Sequence, residues 1–183
     1  MDIIHAGGNA VKVKKLLKQG SDPTIGDNKA IRVASYFGHL RVVAALLQDG
    51  QADPTTNNNY PIQTACASGH TDIVKALLRD GRADPTADNN KAIINACERG
   101  YTKIVKLLLQ DGRADPRAHN SLALEWAGQH EYISVVKLLL QDGRVEATEK
   151  AIRLAKTETI REMLRKYKYR VDGAEYCKLK EQL

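Results

Sequence analysis

The chain predicts an all-α fold, a solenoid of helix-turn-helix repeats with degenerate capping repeats at both ends. The first observation is an interval. Asp-Pro occurs at Asp22-Pro23, Asp53-Pro54, Asp84-Pro85 and Asp115-Pro116, each 31 residues after the last. The second is that apolar positions keep the same interval: Ala34, Ala65, Ala96 and Ala127; Val43, Val74, Val105 and Val136; and leucine pairs starting at Leu46, Leu77, Leu108 and Leu139. The third is that Gly50, Gly81, Gly112 and Gly143 close each unit. Self-similarity at such a period marks a repeat architecture, and a position kept in every copy does a job every unit needs.

Each unit reads as two short helices. The first, as in Asn90 to Gly100, follows an Asn that serves as its cap and stops at Gly. Pro61, in the equivalent stretch of its unit, suits a first helical turn, where a missing N–H costs little. The second places Ile104, Val105, Leu108 and Leu109 at helical spacing and stops at Gly112. Helices this short are marginal alone, so burial must come from stacking one unit on the next. Leu108 is accordingly expected in the core between units.

Composition narrows the functional classes. The chain has 183 residues, net charge +6 and 43% hydrophobic residues, but only 5% aromatic ones, so aliphatic and alanine packing must dominate. At 27% charged residues it is not compositionally disordered. No apolar run approaches the ~18 residues of a membrane span, and the start lacks the pattern of a secretory signal. Three cysteines are too few for a disulfide framework, which points to a reducing compartment, cytoplasm or nucleus.

Matched in order, Tyr60-Pro61-Ile62, Ala65-Cys66, Gly69-His70, Ile73-Val74, Leu77-Leu78 and Gly81 through Asp84 resemble the ankyrin repeat, whose pattern runs T-P-L-H-x-A-A, G-H, I-V-x-x-L-L, G-A-D. The resemblance covers roughly residues 2–165. It implies a protein-interaction module, with a concave surface lined by first helices and edged by projecting fingers. The departures are specific. The unit is shorter than the family's, typically about 33 residues. An extra residue (Gln51, Arg82, Arg113, Arg144) sits inside the Gly-Ala-Asp element, and about three residues are missing before the first helix, which implies shorter fingers. The T-P-L-H histidine is replaced by Arg32, Gln63, Ile94 and Glu125, so the family's side-chain hydrogen bonds are expected to be lost there. His39 and His70 are expected to hydrogen-bond the backbone between helices, as their family equivalents do.

The boundaries follow: a solenoid over 1–170, with a cap at 1–20, repeats at about 21–51, 52–82, 83–113 and 114–144, a C-terminal cap at 145–170, and a tail at 171–183 that is either a short helix or disordered. Lys12, Lys14, Lys15 and Lys18 mark the first cap as solvated on its outer face. A chain cut from a longer array would show the same incomplete first unit.

Catalytic and metal motifs fail on inspection. His130-Glu131 opens a zinc-type H-E-x-x-H, but Ser134 stands at the second ligand position, and no phosphate loop or C-x-x-C is present. Cys66 and His70 would suggest a thiol and its base, yet the same two places hold Ser35 and His39, Cys97 and Tyr101, and Gly128 and Tyr132, so the smaller member fills space. The recurring Asp22, Asp53, Asp84 and Asp115 are expected to fix turns rather than act as paired acids. Neither enzyme activity nor a cofactor or metal is implied.

A partner must be read by what varies. The two places before the mid-unit Gly hold Tyr36-Phe37, Ala67-Ser68, Glu98-Arg99 and Gln129-His130, and the finger series holds Lys29, Tyr60, Lys91 and Leu122. Anchors in interfaces are enriched in Tyr, Trp and Arg. The expected partner-binding residues are therefore Tyr36, Phe37, Tyr60, Arg99, Trp126 and His130, with core filling by Trp126 as the competing expectation. A monomer holding a protein partner is the leading reading. The alternative is a nucleic-acid or anionic-surface binder using Arg165, Lys166, Lys168 and Arg170, where cations alternate with tyrosines. Lys75, Lys106 and Lys137 form a further basic stripe, expected to be partly neutralised by Asp80, Asp111 and Asp142.

Overall fold

The Leu/Val spacing of each unit's second helix does what it requires in the computed structural model, which describes residues 3–169. Leu46, Leu77, Leu108 and Leu139 are each 0% exposed, as are Val43, Val74, Val105 and Val136. The chain opens with a 3-10 turn, Ile3–Ala6, and α1, Ala10–Lys18. Four helix pairs follow: α2 (Ile25–Tyr36) and α3 (Leu40–Asp49), α4 (Thr56–Ala67) and α5 (Thr71–Asp80), α6 (Ala87–Glu98) and α7 (Thr102–Asp111), α8 (Ala118–Gln129) and α9 (Ile133–Asp142). The last pair is α10 (Glu149–Leu154) and α11 (Glu158–Lys168). There is no strand among the described residues. The tail at 171–183 and Arg170 lie outside the described residues.

First helices stack on first helices and second on second, and the first-helix row is the more closely packed. The buried residues of every unit join one continuous core. The alanines before the last three Asp-Pro pairs, Ala52, Ala83 and Ala114, are fully buried beneath the junctions. Gly50, Gly81, Gly112 and Gly143 end the second helices in the left-handed region, with φ of 81–83°.

The fingers differ from expectation in kind as well as length. In place of a hairpin, α2, α4, α6 and α8 each begin with three consecutive left-handed residues after their first position: Gly26-Asp27-Asn28, Asn57-Asn58-Asn59, Asp88-Asn89-Asn90 and His119-Asn120-Ser121. Gly, Asn and Asp dominate because they bear this conformation at least cost. Each turn is closed by a backbone bond, as from Asn59 N to Thr55 O at 2.7 Å. Asn90 is therefore not a helix cap. Its Oδ1 accepts from Asp115 N of the next unit at 2.7 Å, and Asn28 and Asn59 do the same to Asp53 N and Asp84 N. The side chain is spent on the neighbouring repeat.

The aspartates fix turns. Asp53 Oδ1 accepts from the backbone N and the hydroxyl of Thr55 at 2.8 and 2.7 Å, and Asp22 and Asp84 hold Thr24 and Thr86 alike. Asp115 binds the backbone N and the guanidinium of Arg117.

The extra residue of the 31-residue unit is a clamp. Arg82 donates Nε and a terminal nitrogen to both oxygens of Asp80, at 2.8 and 3.0 Å, and its other nitrogen to Gly50 O and Ala52 O of the preceding unit. Arg113 joins Asp111 to Ala83 O, and Arg144 joins Asp142 to Gly112 O and Ala114 O. Asp80, Asp111 and Asp142 are thus held by arginines two residues on, and do not neutralise the lysine stripe of Lys75, Lys106 and Lys137.

Of the four replacements of the T-P-L-H histidine, Ile94 has no group to hydrogen-bond, as expected, but the other three make polar contacts. Arg32 donates to Asp27 O and Gly26 O, and Gln63 to Asn58 O at 2.6 Å, tying the helix back to its own left-handed turn. In the last repeat Glu125, 4% exposed, pairs with Lys150 of the capping helix α10 at 2.7 Å.

Candidate partner-binding face

The variable pairs lie where the first helices end. Tyr36, Ala67, Glu98 and Gln129 are the last residues of α2, α4, α6 and α8, and Phe37, Ser68, Arg99 and His130 follow them. The row is held in place by the turns below it. The His70 ring bonds Tyr36 O of the preceding unit through Nε2 at 2.9 Å. His39, His70, Tyr101 and Tyr132 lie against Gly8, Gly38, Gly69 and Gly100 of the unit before, where a Cβ would fall 2.7–2.8 Å from a ring atom. Glycine is required there by space, and by positive φ at all but Gly8.

The displayed side chains form two aromatic groups with a polar stretch between. At the N-terminal end Tyr36 is 50% and Phe37 61% exposed. Their rings meet edge to face at 4.9 Å, and Phe37 stacks toward His39 at 6.1 Å. Tyr60, 39% exposed, stands on the finger side of the next unit. At the C-terminal end the exposed His130 ring lies between Trp126 at 5.5 Å and Tyr132 at 5.8 Å, both nearly parallel to it. Trp126 is half-buried, as are Val33, Thr64 and Asn95 at its place in the other units, so it neither fills the core nor stands free. Between the groups lie the small Ala67 and Ser68, then Glu98 and the exposed Arg99.

Two cations of the alternative basic end, Arg165 and Lys168, are paired. Arg165 donates to Glu158 at 2.7 Å, Arg161 binds the same carboxylate, and Lys168 pairs with Glu149. These cations hold Glu149 and Glu158 below the usual carboxylate range. Lys166 is exposed. Neither cysteine among the described residues is a nucleophile: Cys66 and Cys97 are fully buried, and burial pushes both thiols far up from their ordinary range. No helix is long and apolar enough to cross a membrane among the described residues.

A family model described as ankyrin repeats (three copies) matches residues 1–89 and 81–151. The chain belongs to the ankyrin-repeat family. Solved structures agree on the fold. The ankyrin repeat domain of human ASB11 superposes with a TM-score of 0.73 at 22% identity, covering 91% of this chain and 83% of that one. The ankyrin repeat protein EF0377 gives 0.75 at 24% identity, covering 88% and 94%. The ankyrin repeat domain ABAYE2397 from Acinetobacter baumannii AYE gives 0.76 at 24% identity, covering 90% and 96%. No curated protein matches the sequence. Ankyrin repeats are in general protein–protein interaction modules.

Sequence reasoning noticed the extra residue of each unit but missed its work. The signal was present: Arg82, Arg113 and Arg144 each follow an Asp by two residues, at the same place in the period.

Proposed function

We propose that this ankyrin-repeat chain is a non-enzymatic adaptor whose inner face holds a protein segment across the ends of α2, α4, α6 and α8. One observation supports this above the rest. The turns at the aspartates, the left-handed turns and the buried leucines recur in all four units, whereas the pairs from Tyr36-Phe37 to Gln129-His130 vary, and their aromatic members lie at the two ends. Helices packed side by side lie about 8–10 Å apart, so three steps separate the aromatic groups by roughly 25–30 Å. An extended segment covers that span in about eight or nine residues. The reading is thus a segment with apolar anchors near its ends and polar residues facing Glu98 and Arg99.

The test is site-specific photo-crosslinking in source-cell extract treated with nuclease. The crosslinking residue is placed at Ser68 on the inner face or at Lys106 on the outer one. The expected result is a protein adduct from position 68 that disappears when Tyr36 and Phe37 are both changed to Ser. Equal adducts from position 106, or adducts at 68 indifferent to the double change, would overturn the inner face. Binding through the basic C-terminal cap is the second reading. The ion pairs of Arg165 and Lys168 argue against it, because a polyanion would have to displace them.

A further inference from the structure

The clamp repeats three times, and its first place is open. Arg82, Arg113 and Arg144 each bind the aspartate two residues earlier and backbone carbonyls of the preceding unit. In the first repeat Asp49 is present at the aspartate place, but Gln51 stands where the arginine should be. The consequence is visible at Asp49. Its Oδ2 is buried and has no hydrogen-bond partner, unlike both oxygens of Asp80, Asp111 and Asp142. An acceptor shut off from water and left unpaired costs its full desolvation, so this is a site the fold holds ready at some loss.

Asp49 also lines an open groove of about 720 Å³ between α1 and α3. Val11, Leu17 and Ala45 contribute its apolar surface and Lys14, Lys15 and Lys18 its positive charge. None of these lysines is among the ion pairs of the described residues. Gln51 and Lys18 are exposed.

We propose that this groove is a docking site for a protein segment that carries one arginine flanked by acidic residues. The arginine enters as the side chains over Asp49 Oδ2 turn aside and supplies the missing guanidinium, completing the arrangement the chain builds for itself in the next three units. The acidic neighbours meet Lys14, Lys15 and Lys18. Arginine is the fitting group because its planar fork engages both carboxylate oxygens while a further nitrogen reaches a carbonyl, which an ammonium cannot do with the same geometry. A purely basic segment is repelled by the lysines, so charge on both sides selects the mixed sequence. The site lies between the outer helix row and the N-terminal cap, and does not depend on the inner-face reading.

The test uses the full chain and a fluorescent probe peptide, Glu-Glu-Leu-Arg-Glu-Glu, titrated by anisotropy at low salt. Its counterparts carry Lys or the uncharged citrulline in place of Arg. Gln51→Arg fills the socket from within, and Asp49→Asn removes its carboxylate. The expected result is saturable binding of the arginine peptide to wild type. Binding should weaken at least tenfold for the citrulline peptide and for both variants, and less for the lysine peptide. Gln51→Arg should also raise the melting temperature, which shows that the variant is folded and the socket has the clamp geometry. Equal binding of the arginine and citrulline peptides, or no saturable binding, overturns the proposal. Binding that survives Gln51→Arg does so too, and would leave only a lysine surface for acidic peptides. Sedimentation closes the remaining route: self-association of wild type abolished by Gln51→Arg would give the socket to a second copy and overturn the external segment.

Discussion

Asn59 shows how much a single polar side chain carries in this solenoid. It sits 8% exposed, in a left-handed backbone conformation at φ +62°, and accepts from Asp84 N of the next unit. Asn59→Ala loses the acceptor, strands a backbone donor at the junction and puts a less tolerant residue in that conformation. The expected cost is about 1–3 kcal/mol in urea melts. Asn59→Asp keeps the acceptor oxygen and the tolerance, and should recover most of the loss; equal losses in the two variants would count against the bond. The clamps make a second residue-scale statement. Asp80 and Asp111 are held below the ordinary carboxylate range, chiefly by the guanidinium bonds of Arg82 and Arg113. A carboxyl whose folded value lies below its unfolded one, about 3.9, contributes stability that is present above that value. The contribution is lost as pH falls through the folded value. Melting temperature should therefore be level between about pH 5 and 7 and fall below about pH 4. Changing both aspartates to Asn should lower stability at pH 7 and flatten the acid fall; an unchanged acid limb would remove these pairs from the account.

Among the elements, the turns that follow first and second helices separate two uses of glycine. Gly81 ends α5 at φ +83° with nothing within 4 Å of where a Cβ would stand. Gly69 has φ +77° and the Tyr101 ring 2.8 Å from that point. Gly81→Ala should cost about 1–2 kcal/mol for the left-handed conformation alone. Gly69→Ala should cost clearly more and shift the Tyr101 signals in an NMR spectrum, which Gly81→Ala should not do. Similar costs for the two would show that the ring moves away freely. The same elements show what a sequence discloses. Helix pairs, their glycine stops and the buried leucines were readable because apolar periodicity reports burial directly. The left-handed turns were not, since a run such as Asn57-Asn58-Asn59 reads equally as a loop or as a cap. The clamps escaped because pairing an arginine with a carbonyl about 30 residues away depends on how units stack. Of the candidate site, the exposure of Tyr36 and Phe37 was legible from their variation, whereas the His130 stack required the close turn geometry at Gly128 to Tyr132.

Taken as a whole, the molecule is a chain of junctions, each coupling only neighbouring units, so its stability has a profile along the array. The three internal junctions each carry an asparagine bond and an arginine clamp. At the C-terminal end the Asn series reaches Ser121, whose side chain is shorter, but Lys150 and Lys156 of the cap pair with Glu125 and Glu131 of the last repeat. The junction of the N-terminal cap with the first repeat has Gln51 at the clamp place and an unpaired Asp49. It should therefore open first. Amide hydrogen exchange under native conditions is expected to be faster in α1 and α3 than in α5 and α7, because local opening samples the weakest junction without unfolding the rest. Gln51→Arg should slow exchange in α1 and α3 while leaving α7 unchanged. The comparison separates a local cause from a global one: a variant that merely stabilised the whole chain would slow the best-protected helices too. If α1 and α7 exchange together in both proteins, the array opens in one step and the missing clamp does not set where it begins.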